Sequence, residues 1–161
     1  MPRCSANCGD GHELFECIPP PESAAFAHLV RFCEQNRPLV LASLPFFAAE
    51  MAHSNGFADM LRLIRKAGGT KVYISHDRLK FNSRFSLKLT EQQHDRLVLH
   101  SDSSGLIDLP SSWGIFVSIR RAAIIAALKS RHPRGEIVRR FGVTDRYLRK
   151  LSHGLNQGAG P

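Results

Sequence analysis

Basic side chains are concentrated between Arg120 and Lys150, in about one fifth of the sequence. This segment holds ten Lys and Arg against Glu136 and Asp145, whereas residues 1–119 hold 12 Lys and Arg and 12 Asp and Glu. The net charge of +8 therefore arises from this segment. Cationic groups gathered in this way favour a phosphate backbone, so the pattern indicates a nucleic acid partner. The alternative is a generic basic surface that keeps the protein soluble.

Apolar residues recur within the basic segment at the spacing of two short helices. In RGEIVRRFGVTDRYLRKL, Ile137 and Phe141 lie one turn apart, and Leu148 and Leu151 lie three residues apart further on. This spacing predicts two amphipathic helices whose apolar sides face each other.

The residues between these helices have the chemistry of a turn. Gly142 tolerates a left-handed backbone, Val143 can fill the gap between the helices, and Thr144 is a suitable N-cap. Val138 is the one departure from the pattern, because close helix crossing usually prefers Ala or Gly there. The pattern predicts a helix-turn-helix.

The polar residues of this unit are expected to point outward. A recognition helix places its N-terminal residues in the major groove, where Arg146 or Arg149 could bind guanine. The residues expected to hold phosphates are Thr144, Arg139, Arg140 and Lys150, although each charged residue alone could be a solvated charge. The predicted DNA-binding set is Arg134, Arg139, Arg140, Thr144, Asp145, Arg146, Tyr147, Arg149, Lys150 and His153.

The N-terminus carries residue types that bind zinc. Cys4, Cys8, His12 and Cys17 form a C-x3-C-x3-H-x4-C pattern, which is not the tight C-x2-C spacing of common structural sites. Two glycines within it disfavour a helix that would bring the ligands together. A metal site and a mobile segment with free thiols both remain open, and the second is favoured.

Common catalytic and membrane signatures are absent from the sequence. The sequence contains no H-E-x-x-H, G-x-S-x-G or P-loop motif, so we expect neither an enzyme nor a cofactor. The longest apolar run, residues 39–49, is interrupted by Ser43 and Pro45, and the N-terminus lacks a secretory signal. We therefore expect a cytoplasmic protein without a membrane partner.

The remaining elements are predicted mainly as helices. Apolar periodicity favours helices over 22–36, from about Pro45, and over 57–66. A strand over 70–74 needs a partner, which could be 85–89 or the same strand of a second subunit.

The second half of the chain is less regular. Thr90 looks like a helix cap within the poorly patterned segment 76–111. Ser112 is the expected cap of a helix from Trp113 to about Ser130, with an apolar stripe at Phe116, Ile119, Ala123 and Ala126.

The predicted fold is mainly α. It comprises a flexible N-terminal segment (1–21), a helical region with a short strand for dimerisation and a linker (22–111), a helix-turn-helix domain (112–153) and a flexible tail (154–161).

Two motifs together resemble a known family. GGTKVYIS, which begins at Gly68, followed by RHPRGEIVRRFGVTDRYLRKL is similar to the Mor transcription activators, the middle-operon regulators of transposable phages and prophages. The resemblance implies that Gly68 and Gly69 turn the chain into the strand and that Tyr73 lies near the dimer or linker region. It also implies that the helices of 22–67 form a dimer core, and that the protein activates promoters by engaging RNA polymerase.

The expected function is therefore sequence-specific transcription regulation. A homodimer would bind double-stranded DNA through the major groove and contact RNA polymerase. The alternatives are a helical protein-interaction adaptor and the DNA-binding part of a recombination complex.

Overall fold

The computed structural model describes residues 17–157. Helices dominate this part of the chain, which confirms the mainly α prediction. The elements are α1 (Ala24–Gln35), α2 (Arg37–Ser43), α3 (Phe46–Asn55), α4 (Phe57–Ala67), β1 (Lys71–Tyr73), α5 (Arg78–Phe85), α6 (Glu91–His100), β2 (Leu106–Asp108), α7 (Ser112–Lys129), α8 (Arg134–Phe141) and α9 (Asp145–Gln157). None of the helices described is long and apolar enough to cross a membrane.

The first helix ends where the sequence predicted, but the chain becomes helical again at once. Ser23 caps α1 by accepting a hydrogen bond from the backbone N–H of Phe26, and the helix closes at Asn36. Pro38 then lies in the first turn of α2. Proline is tolerated there because the first N–H groups of a helix have no partner within it.

The predicted partner of the first strand was wrong. β1 pairs antiparallel with β2, with Val72 opposite Ile107. Residues 85–89 are unavailable because Phe85 closes α5, while Leu87 and Leu89 are buried in the core. The strand thus finds its partner within the same chain.

The poorly patterned segment 76–111 contains two capped helices as well as β2. Asp77 accepts hydrogen bonds from the backbone N–H groups of Leu79 and Lys80 at the start of α5. Thr90 caps α6, as predicted, and forms a capping box with Gln93.

One hydrophobic core joins most of the chain, and we call the part of the protein around it the body. Its buried side chains run from Ile18 to Ala122 and come from α1–α6, both strands, the neighbouring loops and α7 up to Ala122. The helices that the resemblance assigned to a dimer core therefore already pack against one another within a single chain.

The long helix α7 differs from its predicted form in two ways. Ser111 rather than Ser112 is its cap, accepting a hydrogen bond from the N–H of Gly114 at 3.1 Å. Of the predicted stripe only Ile119 is buried; the buried residues are Ile115, Ile119, Ala122, Ile124 and Ile125. The stripe is displaced because two partners on different sides cover the two halves of this helix.

A second, smaller core lies beyond Ala122. Ile124, Ile137 and Leu148 are buried together, one each from α7, α8 and α9. We call this three-helix unit, residues 124–157, the head. Its last helix reaches Gln157, so residues 154–157 are helical rather than part of the predicted tail.

Candidate nucleic-acid interface

The turn between α8 and α9 has the predicted geometry. Gly142 adopts a left-handed conformation, with φ 58° and ψ 42°, and its N–H donates to the carbonyl of Val138. The Thr144 hydroxyl accepts a hydrogen bond from the N–H of Tyr147 at 3.2 Å. These contacts satisfy backbone groups at the end of α8 and the start of α9.

The inward residues also occupy their predicted places. Ile137 is 1% exposed and Leu148 is fully buried. The partly buried side chains packed around them include Val138, which fits beside the head core. The remaining predicted packing residues are Phe141, Val143 and Leu151, all partly buried against the same core.

A side chain from α7 holds the turn in place. The Nη2 group of Arg120 donates to the carbonyl of Phe141, and it lies 3.4 Å from the carbonyl oxygen of Gly142. Carbonyls at a helix C-terminus carry partial negative charge, so the cation is favourably placed. Sequence reasoning missed this contact because 21 residues separate Arg120 from Phe141 and no local pattern connects them.

The polar residues of α9 form an exposed basic face. At 100° per residue, Arg146, Lys150 and His153 lie roughly opposite the side that Leu148 buries, and Arg149 lies about 100° from Leu148, at the edge of the same face. All four are exposed, as are the other predicted DNA-binding residues except Asp145, which is half-buried. The predicted set is therefore accessible, although its members do not all share one face.

Two arginines on this face differ in their contacts. Arg149 is paired with Asp145: its Nε and Nη2 atoms lie 2.6 and 2.5 Å from Asp145 Oδ2. Arg146 has no ion pair or side-chain hydrogen bond within residues 17–157. Of the two guanine-binding candidates, Arg146 is the one with a free guanidinium group.

Two other predicted residues lie to the side of this face. Tyr147 borders a groove between α7 and α9, together with Arg121 and Lys150. Arg140 borders a different cleft, between α8 and α1. Arg121 is exposed and extends the basic face of α9 onto α7. Sequence reasoning did not assign Arg121, and only the three-dimensional packing shows that it belongs there.

The metal-site hypothesis falls mostly outside the described part of the chain. Cys4, Cys8 and His12 lie there, while Cys17 is half-buried at the first described position. Within residues 17–157, no group of three or more His, Cys, Asp or Glu side chains could hold a metal ion. Burial raises the pKa of the Cys33 thiol to about 12, and the nearby Glu34 carboxylate adds to this shift.

Comparisons with known proteins gave no relative. No family model, curated protein or solved structure matches this chain.

Proposed function

We propose that the protein is a sequence-specific DNA-binding transcription regulator and that α8 and α9 form its helix-turn-helix. The observation that carries the proposal is the exposed basic face of α9, which follows directly after the left-handed turn at Gly142. α9 has 13 residues and so spans roughly 20 Å, a length suited to lying in a major groove.

In this proposal the side chains divide between bases and phosphates. Arg146, in the first turn of α9, is the leading candidate for bidentate contact with guanine. To contact a base, Arg149 would have to break its ion pair with Asp145 or share its guanidinium group between Asp145 and the base. Arg139, Lys150 and the newly identified Arg121 would position the duplex through its phosphates.

We further propose a dimeric, Mor-like activator. This part rests on the resemblance of the two motifs and on the advantage of two recognition helices on a two-fold site. Because the body core is already complete within one chain, a dimer would form through outer surfaces rather than by opening that core. Promoter activation and contact with RNA polymerase rest on the resemblance alone.

The deciding experiment is selection of bound duplexes from a random library with the full chain, followed by affinity measurement at 50 and 200 mM salt. We expect an enriched sequence, with affinity falling at least about a hundredfold over this range, because each neutralised phosphate releases counterions. Absence of enrichment, or binding that does not change with salt, would contradict the regulator and support the adaptor hypothesis.

A further inference from the structure

A cleft of about 520 Å³ lies between the body and the head. α1 contributes Leu29 and Phe32 to it, α7 contributes Phe116 and Ile119, and α8 contributes Phe141. A second cleft of about 280 Å³ shares Phe32 and Phe141 and continues beside the first. The main cleft falls within the 300–1,000 Å³ range of small-molecule sites, which often lie between domains and are mostly apolar.

Two guanidinium groups border this apolar space. Arg120 lies in the middle of α7 and Arg140 near the end of α8. Within the described residues, no acidic side chain lines the main cleft, and Arg140 has no ion pair there. Among the residues that line the smaller cleft, one is acidic, Glu136. An apolar body bearing one negative group would complement both features.

The same cleft is connected to the turn that positions α9. Arg120 donates to the carbonyls of Phe141 and Gly142, and Phe141 contacts both the cleft and the head core. A carboxylate that engages Arg120 would compete for hydrogen bonds that hold the turn. Occupancy of the cleft would therefore act on the orientation of α9.

We propose that this cleft binds a small amphipathic carboxylate, with its hydrocarbon part between α1 and α7 and its carboxylate between Arg120 and Arg140. We propose further that binding alters affinity for DNA, which rests on the proposed function. The binding itself does not depend on that function.

The first test is isothermal titration calorimetry on the full chain with octanoate and with octan-1-ol. Octanoate should bind at least about tenfold more tightly, since the alcohol cannot form charge-assisted hydrogen bonds. Equal affinity for both would overturn the assignment of a carboxylate, and absence of binding by either would overturn the site.

Two neighbouring arginines provide matched variants. Arg140→Met should weaken octanoate binding about tenfold, whereas Arg139→Met, which changes an exposed residue that does not line the cleft, should leave it within about twofold. Equal effects of the two substitutions on octanoate affinity would contradict the assignment of Arg140 to the binding site. Should Arg140→Met fail to fold by circular dichroism, Ala123→Leu, which fills part of the cleft floor, serves the same purpose.

The second test measures affinity for a selected duplex with and without saturating octanoate. Coupling between the sites should change DNA affinity by at least about fivefold. Octanoate binding by a chain that binds no DNA would keep the site and refute the regulator. Normal DNA binding without octanoate binding would keep the regulator and refute the cleft as a binding site. Binding of both ligands without mutual influence would refute the coupling.

Discussion

The body and the head are built on different scales. The body core contains 25 buried residues contributed by most of the helices, whereas the head core contains only Ile124, Ile137 and Leu148. Each buried residue therefore accounts for a much larger share of the apolar burial in the head. The head should open more readily than the body, because local stability follows local burial.

The charges follow the same division. Residues 1–119 are balanced, whereas the net positive charge lies in the head and in Arg120 and Arg121 of α7. Like charges on a small unit repel one another and so destabilise its compact state. A polyanionic partner would relieve this repulsion. The head thus combines a small core with a strongly basic surface, whereas the body combines a large core with balanced charge.

The largest expected effect comes from truncating the head core. Leu148→Ala should cost about 3 kcal/mol by removing buried methyl groups and leaving a cavity. Hydrogen exchange should then show lost protection in α8 and α9 while the amides of α4 stay protected. The matched variant Leu61→Ala should instead reduce the protection of amides in the body. Simultaneous loss of protection throughout the Leu148→Ala chain would show that the two cores unfold as one unit.

Removing the free arginine of α9 tests the surface of the head. Arg146→Ala should weaken binding to a selected duplex by about 2 kcal/mol, the value typical of a bidentate base contact, and leave circular dichroism unchanged. Arg31→Ala, an exposed arginine on α1 of the body, should have little effect. Gel-shift titrations that gave equal losses for both would contradict the assignment of the DNA-binding face.

The turn glycine should have an intermediate effect. Gly142→Ala should destabilise the head by about 1 kcal/mol, since an L-residue is disfavoured at a φ of 58°. Gly135→Ala, at a helical position of α8 where an added Cβ meets nothing within 4 Å, should stabilise it by up to about 1 kcal/mol. Thermal unfolding should shift in opposite directions for the two variants; shifts of the same sign would argue against the left-handed turn.

The smallest effect is expected for the ion pair on α9. Asp145→Asn should cost at most about 0.5 kcal/mol of stability, as for other exposed helical pairs, and it should strengthen DNA binding by removing a negative charge and freeing Arg149. Asp59→Asn breaks a comparable pair with Arg62 on the body. Asp59→Asn should lower the free energy of unfolding by a similar amount without changing DNA affinity. If Asp145→Asn instead weakened DNA binding, the ion pair would be shown to position Arg149 for that binding.

The predictability of the structure depended on sequence separation. The turn at Gly142 and the caps at Thr90 and Thr144 were predicted because the groups involved lie within four residues of one another. The pairing of β1 with β2 and the contact of Arg120 with the turn were not, because partners far apart in sequence leave no periodic signal. The same limitation hid the cleft, which exists only after α1 and α8 have been placed on α7.

α7 belongs to both cores, burying Ile115 and Ile119 in the body and Ile124 in the head. A continuous helix transmits rotation as well as position, since each residue turns the chain by 100° and advances it by 1.5 Å. The direction in which α9 faces relative to the body is therefore set by the number of residues between Ala122, which packs in the body core, and Ile124, which packs in the head core. One residue added at this junction would turn the basic face by more than a quarter of a circle while leaving both cores chemically unchanged.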